Sequence, residues 1–243
     1  YKSELKNRTV VGNQPIPDVV HPFVSPAGIS GKSIVWIDTP WSAKEPEYEE
    51  QGPRQQQPRY RNSQEAYVIK QFLCSLQADA QIESPLSLAI LSPYNQQVSM
   101  IRNELKDISL PQYLTLKNNL STADTADIDF ARSLAHSVDS FQGNEADIIV
   151  VSLVRNNTLP PGAASAIGFL KDAPRLNVLL SRAQRLLVLT GSWDFFWQQF
   201  KHVPLDDTKH ELWHWKKVIT LLDGWFRTGE AIKISSKSLG GDK

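Results

Sequence analysis

Asp147-Ile148-Ile149-Val150-Val151-Ser152-Leu153-Val154 is the stretch on which the fold turns. It is short, rich in β-branched residues and without polar alternation, so it reads as a strand buried on both faces, as inside a parallel sheet. Similar runs recur on either side: Ser33 to Asp38, Leu88-Ala89-Ile90-Leu91, and Leu186 to Gly191. Between them lie segments with helical spacing. Ile69, Phe72, Leu73 and Leu76 follow Asn62, which is placed to cap a helix, with Glu65 placed to reach back to it. Val98, Ile101 and Leu105 follow Pro93. Leu176, Leu179, Leu180 and Ala183 mark a helix over 172–184, capped by Asp172 with Pro174 in its first turn. Strands alternating with amphipathic helices predict an α/β fold, a parallel sheet with helices on both faces.

Around this frame, residues 1–32 read as an irregular lead-in and 33–192 as the main domain. Residues 40–61 read as a surface loop, 106–136 as an insertion or long connection, and 156–167 as a loop rich in Pro, Gly and Ala. Residues 193–234, with Trp193, Trp197, Trp213, Trp215 and Trp225, read as a helical C-terminal extension packed on the main domain, and 235–243 as a disordered tail.

The 243 residues, 41% hydrophobic, are enough for a substantial core. Lys plus Arg (26) balance Asp plus Glu (26), which excludes a uniformly basic nucleic-acid binder and leaves only a locally basic groove. The single cysteine, Cys74, excludes an internal disulfide and a cysteine zinc cluster, and is expected to be a buried core thiol. His210-Glu211-Leu212-Trp213-His214 has the HExxH spacing, but the intervening residues fit a packed or solvated helix, and no metal site is expected. No apolar run approaches the ~18 residues that span a membrane, and no signal-peptide pattern opens the chain. Tyr1, without a preceding Met, suggests a fragment of a longer protein.

Two segments carry chemistry. In Gly168-Phe169-Leu170-Lys171-Asp172-Ala173-Pro174-Arg175-Leu176-Asn177-Val178-Leu179-Leu180-Ser181-Arg182-Ala183, the two arginines seven apart share one side of the expected helix. They can clamp a phosphate, or simply be solvated. Ser137-Val138-Asp139-Ser140-Phe141-Gln142-Gly143-Asn144-Glu145-Ala146-Asp147 runs directly into the buried strand. Gly143 lets backbone approach a ligand, Gln142 and Glu145 can touch a nucleotide, and Ser137 a phosphate. By composition alone this is equally an ordinary polar loop.

Together, the two segments resemble motifs V and VI of superfamily 1 helicases of the Upf1-like group. The first resembles that family's "VDxFQGxExD", with Val154-Arg155 after the strand as its "VR". The second resembles "GFLxDxRRLNVALTRA", and the strand ending at Gly191 follows as in the family. Upstream, Leu91-Ser92-Pro93-Tyr94-Asn95-Gln96-Gln97 resembles motif IV, "TPYxxQ", and Asn62-Ser63-Gln64-Glu65-Ala66 resembles "SxxNxxEA". Tyr1-Lys2-Ser3-Glu4-Leu5 is similar to the "FYxGxL" that opens the family's second motor domain. The resemblance covers roughly residues 1–192.

It implies a RecA-like second motor domain of an ATP-dependent DNA or RNA helicase that translocates on a single strand. ATP with Mg²⁺ would sit between this domain and an upstream RecA-like domain of the same parent chain, which supplies the phosphate loop. By this resemblance Arg182 is the arginine finger, Arg175 the second of the paired motif VI arginines, and Gln142 part of the catalytic set. Gly143, Glu145, Tyr94 and Gln97 lie at the nucleotide, and Ser92, Pro93, Ser137 and Val138 at the single-stranded backbone. Arg182 is expected on its helix, toward the carboxyl ends of the strands and open to the Gln142 loop. Cytoplasmic or, in a eukaryote, nuclear localisation is implied.

Several positions depart from the family pattern. Pro174 replaces the first motif VI arginine, Val98 stands where some relatives carry an arginine, and Ser181 replaces a threonine. No "GxxxxGK[ST]" phosphate loop occurs in the chain; Gly28-Ile29-Ser30-Gly31-Lys32-Ser33 has its glycines three apart and precedes a strand. The chain alone is therefore expected not to hydrolyse ATP. The alternatives are a degenerate, non-catalytic helicase-like module that binds protein or nucleic acid, and a nucleotide kinase using residues 28–33.

Overall fold

The computed structural model of the chain describes residues 10–11, 14–15, 21–53, 59–78, 85–111, 114–116 and 134–240. Its strands, in chain order, are β1 (Val10–Val11), β2 (Gln14–Pro15), β3 (Phe23–Ser25), β4 (Ile34–Asp38), β5 (Gln77–Ala78) and β6 (Leu86–Ser92). There follow β7 (Leu114–Leu116), β8 (Ala135–Ser137), β9 (Ala146–Ser152), β10 (Ala183–Gly191) and β11 (Ile232–Ser235). The helices are α1 (Ser63–Ser75), α2 (Asn95–Leu105), α3 (Ala164–Ile167), α4 (Ala173–Leu180), α5 (Trp193–Phe200) and α6 (Trp213–Thr228).

Seven strands form the central sheet in the order β11-β4-β10-β9-β6-β7, with β8 beside the carboxyl-terminal part of β6. All of its pairings are parallel. β1 with β2, and β3 with β5, form small antiparallel pairs outside it.

The aliphatic runs are continuous because each strand feeds two cores. Successive side chains of a strand point to opposite faces. Val35 and Ile37, Leu88 and Ile90, Ile148 and Val150, and Leu186 and Val188 face one core, which α1 and α2 cover with Ile69, Phe72, Leu73, Val98 and Ile101. Trp36, Ala89, Leu91, Ile149, Val151 and Leu189 face the other, covered by Leu176, Leu179, Phe195, Phe196, Trp215 and Ile219. The α/β architecture, RecA-like with helices on both faces, is thus as the sequence indicates.

Local chemistry sets the helix ends. The side chain of Asn62 accepts from Glu65 N (3.1 Å), that of Asp172 from Arg175 N (3.2 Å) and that of Ser192 from Phe195 N (3.3 Å), each satisfying an orphan amide of the first turn. Gly229, in the left-handed region at φ 78°, closes α6. The C-terminal tryptophans pack as expected: Trp193 meets Trp36 edge to face at 5.1 Å, and Trp215 stacks on Phe200 at 5.7 Å.

Several expectations are corrected. The helix expected over 172–184 stops at Leu180, and the strand after it begins at Ala183. The extension beyond 192 is not wholly helical: β11 returns to the sheet beside β4, burying Ile234 in the first core. The expected tail is ordered over 235–240, where Ser236–Leu239 form a 3₁₀ turn with Leu239 buried; 241–243 lie outside the described residues. Within the expected lead-in, Phe23 and Ile29 are core residues, while the motor-opening Tyr1–Leu5 lies outside the described residues. Cys74 is exposed rather than buried. It falls one position outside the α1 face that Phe72 and Leu73 present to the core.

β11 makes the clearest difference between sequence and structure. Ile234→Ala should cost about 2–5 kcal/mol, the usual range for truncating a buried isoleucine, seen as a lower urea midpoint. An unchanged midpoint would mean that this strand is not docked in solution.

Candidate functional site

The ends of the two signature segments meet at the amino edge of the central strands, where Ala146 N donates to Arg182 O. Asp147 is the clamp there. Its Oδ2 accepts from Ser87 N (2.9 Å) and Ser87 Oγ (2.6 Å), and its Oδ1 from Arg185 Nε (2.9 Å), so one carboxylate joins β6, β9 and β10. Arg182 follows the end of α4, where Ser181 N donates back to Asn177 O (3.1 Å). It therefore does not share a helix face with Arg175. A helix that feeds a parallel strand delivers its last turn to the strand's amino end, so Arg182 lies at that edge and not at the carboxyl ends. This corrects the expected placement.

Arg182 is nevertheless beside the Gln142 loop. Its carbonyl accepts from Ala146 N (3.1 Å), and two residues on, Gln184 Nε2 donates to Glu145 Oε2 (3.2 Å). Gln142, Gly143 and Glu145 are exposed. Gly143 is left-handed (φ 87°), and a Cβ built there would meet nothing within 4 Å, so the backbone is open to close approach. Arg182 is half-buried, and its Nε is buried without a hydrogen-bond partner among the described residues. A guanidinium donor left without an acceptor among the described residues is poised for one.

Arg175 sits at the opposite end of α4. Its Nε and Nη2 hold the two oxygens of Asp139 at 3.1 and 3.3 Å, and its guanidinium lies over the exposed Phe169 ring, 5.2 Å from the centroid. The pair ties the start of α4 to the start of the loop that contains Gln142. Arg175 is thus engaged with a carboxylate and must exchange that partner to hold a phosphate.

The motif IV residues stand at the carboxyl edge of β6, away from the Arg182–Glu145 group. Ser92 and Ser137 lie in register on β6 and β8. Ser92 is buried, with its carbonyl accepting from Val138 N (3.2 Å), and Val138 is buried too. Pro93 and Ser137 are half-exposed. Gln97 is wholly buried: its Oε1 accepts from Asn62 N (2.7 Å), and its Nε2 donates to Asn62 O (2.9 Å) and Ser152 Oγ (3.0 Å). Tyr94 is also buried, its hydroxyl accepting from Phe169 N (3.3 Å). As they stand, Gln97, Tyr94, Ser92 and Val138 serve the interior rather than a ligand. Val98 faces the core of α2, where an arginine would have to bury its charge.

Sequence reasoning missed the buried polar network behind this edge. Arg155, Asn156 and Asn157, at most 1% exposed, follow the central strand. Glu50, from the supposed surface loop, is 3% exposed and pairs with Arg155 at 3.2 Å. Its Oε2 accepts from Asn156 N (2.6 Å) and its Oε1 from Asn157 Nδ2 (2.9 Å). Burial pushes this carboxyl above its usual range, with Arg155 and the asparagine donors pulling against that. Asn156 also holds Ser42 N and Pro40 O, and Asn157 holds Ala166 O. Glu65 does not reach back to its own cap: its Oε2 accepts from Ser152 Oγ (2.6 Å) and Val154 N (2.9 Å). The polar run Arg155-Asn156-Asn157 directly after a buried strand was the available signal.

A family profile described as AAA domain matches residues 1–194. Among curated relatives, the chain is 34% identical over 131 residues to the DNA polymerase alpha-associated DNA helicase A of Saccharomyces cerevisiae, covering 54% of this chain and 15% of that protein. It is 35% identical over 130 residues to the regulator of nonsense transcripts 1 homolog of Neurospora crassa, covering 54% of this chain and 9% of that protein. The regulator of nonsense transcripts 1 of Caenorhabditis elegans is 32% identical over 130 residues, again 54% of this chain and 9% of its own length. The chain therefore spans only a small part of the relatives it matches.

Glu65 makes stability depend on pH. Burial raises its pKa from 4.5 to about 8, against the pull of Ser152 and Val154 N. With the folded pKa above the unfolded one, the unfolded state releases its proton first as pH rises. Folding then loses stability between 4.5 and about 8. Glu65→Gln keeps the acceptor and cannot ionise, so its urea midpoint relative to wild type should rise from about pH 5 to about pH 9. Parallel pH profiles for the two proteins would contradict the buried, neutral carboxyl.

Proposed function

The chain belongs to the AAA domain family and stands among Upf1-like superfamily 1 helicases; from this premise we propose that it is the second, C-terminal RecA-like motor domain of an ATP-dependent DNA or RNA helicase. The observation that carries the proposal is the amino-edge group: Arg182, its Nε unpartnered, adjoins the exposed Gln142–Gly143–Glu145 loop across one backbone hydrogen bond. In this role Arg182 supplies a fixed cation to the transferred phosphoryl group, Glu145 and Gln142 contact the nucleotide, and the bare backbone at Gly143 admits it closely. A cation held at the γ-phosphate stabilises charge as it develops, and costs nothing in reorganisation at that moment.

ATP and Mg²⁺ belong to a composite site whose other half comes from the upstream RecA-like domain of the parent chain. Among the described residues no group of three or more His, Cys, Asp and Glu gathers to hold a metal. Single-stranded DNA or RNA is the proposed track, with half-exposed Pro93 and Ser137 as its contacts at the carboxyl edge. No helix among the described residues is long and apolar enough to cross a membrane.

One observation favours a second reading, a degenerate module that binds without turnover. Arg175, the only arginine left of the motif VI pair, is held by Asp139 and neighbours Asp172 at 3.7 Å. The two readings separate on one variant. In the full-length protein Arg182→Ala should lower ATP turnover by about 10³–10⁵, the usual worth of such an arginine, with nucleotide affinity largely kept. A full-length protein whose turnover is indifferent to Arg182 would refute the motor role, and single-strand affinity unaffected by nucleotide would favour the module.

A further inference from the structure

We propose that Arg155 is a positioning residue: from inside the domain it seats Gly168, and so fixes where α4 begins, and with it Arg175 in its first turn and Arg182 just beyond its end. The effect on turnover rests on the motor-domain reading above; the seating itself rests on geometry alone.

The central strand ends in an unusual turn. Among the described residues Val154 is the only non-glycine with a positive φ, 71°. A β-branched residue adopts that conformation only when its surroundings impose it. Here Glu65 Oε2 accepts from Val154 N (2.9 Å), and Asn62 Nδ2 donates to Val154 O (3.3 Å). The turn directs Arg155 inward, where 1% of it remains exposed.

Once inside, the guanidinium touches three separate stretches of chain. Nη2 lies 3.2 Å from Glu50 Oε1 and donates to Ser165 O (2.6 Å), while the Tyr60 ring lies against the group with its centroid 3.9 Å away. Nη1 faces Gly168. A Cβ built on Gly168 would stand 2.9 Å from that nitrogen and 2.7 Å from the Tyr94 hydroxyl. Gly168 is itself left-handed at φ 59°. The absence of a side chain is what lets the chain rest on Arg155 and Tyr94.

From Gly168 to α4 there is little slack. A single 3₁₀ turn, Gly168–Lys171, leads to Asp172, the cap of α4. Within that turn Phe169 N donates to Tyr94 Oη, and Leu170 O accepts from Trp215 Nε1 (2.5 Å). A shift at Gly168 is therefore passed to Arg175, in the first turn of α4, and along the helix toward Arg182. A lysine at 155 keeps the charge but has no planar fork to meet Glu50 and Ser165 O together.

The test uses the full-length protein with Arg155→Lys and, from the other side of the contact, Gly168→Ala; if one variant fails to fold, the other carries the test. Amide hydrogen exchange should quicken by roughly tenfold over 165–176 while β9 and β10 stay protected. ATP kcat should fall by about tenfold or more with KM for ATP within about threefold, and Arg155→Lys added to Arg175→Ala should cause little further loss. Unchanged exchange over 165–176, or exchange raised evenly across the sheet, would overturn the proposal, because the latter is what simple loss of stability produces. Losses that multiply in the double variant would overturn it as well. Localised loosening in a protein whose wild type hydrolyses no ATP would uphold the seating and reject the motor reading instead.

Discussion

The hydrogen bond from Ala146 N to Arg182 O is the contact on which the amino-edge site depends. It is the first rung between β9 and β10, the two most central strands, and it joins the end of one signature segment to the end of the other. Neither segment brings its polar residues together by itself. Parallel pairing does so, because both connections descend the same face and hand over to their strands at the same edge. The Asp147 carboxylate then locks that edge by holding Ser87 and Arg185. Displacing β10 along β9 would move the Arg182 guanidinium relative to Glu145 by the same amount.

The other edge of the sheet is built differently. At the carboxyl ends the polar groups turn inward, with Glu50, Glu65, Asn62, Gln97, Arg155, Asn156 and Asn157 bonding mainly to one another and to backbone. Such a network is costly when incomplete, since an unpaired group keeps its desolvation penalty. Its bonds anchor the long loops on either side, and the turn at Val154 is tolerated because Glu65 and Asn62 hold both of its peptide groups. The domain thus has an open polar edge, where a donor waits for a partner, and a closed one, where polar groups fix loops in place. That division explains why the candidate residues do not gather in a single pocket.

Much of the fold was legible because two cores require continuous aliphatic strands, and the sequence carries them at Ile34–Ile37, Leu88–Leu91, Ile148–Val151 and Leu186–Leu189. The caps at Asn62 and Asp172 were legible for the same local reason that they work. What periodicity could not show was partner choice. Ile232 and Ile234 are too few to announce a strand, and they become one only because β4 offers an open edge. The end of α4 was overrun because Ala183 continues the apolar spacing, although Ser181 already closes the helix. Glu50 sits among prolines and charges in a segment with every mark of a solvated loop; only the three-dimensional approach of Arg155 reveals why it is buried. In the site, residue types were readable and ends of the sheet were not. Gln97 and Tyr94 have ligand-like chemistry, and their neighbours consume it.

The central claim is that Arg182 faces the phosphates of a nucleotide shared with a preceding domain. A structure of the full-length protein trapped with Mg²⁺, ADP and aluminium fluoride tests it most directly. The account predicts the Arg182 guanidinium within ~3 Å of the fluoride ligands, at charge-assisted hydrogen-bond distance, with Glu145 on the same side of the nucleotide. Fluoride bound instead against the Ser92–Tyr94 edge, with Arg182 turned to solvent, would contradict it.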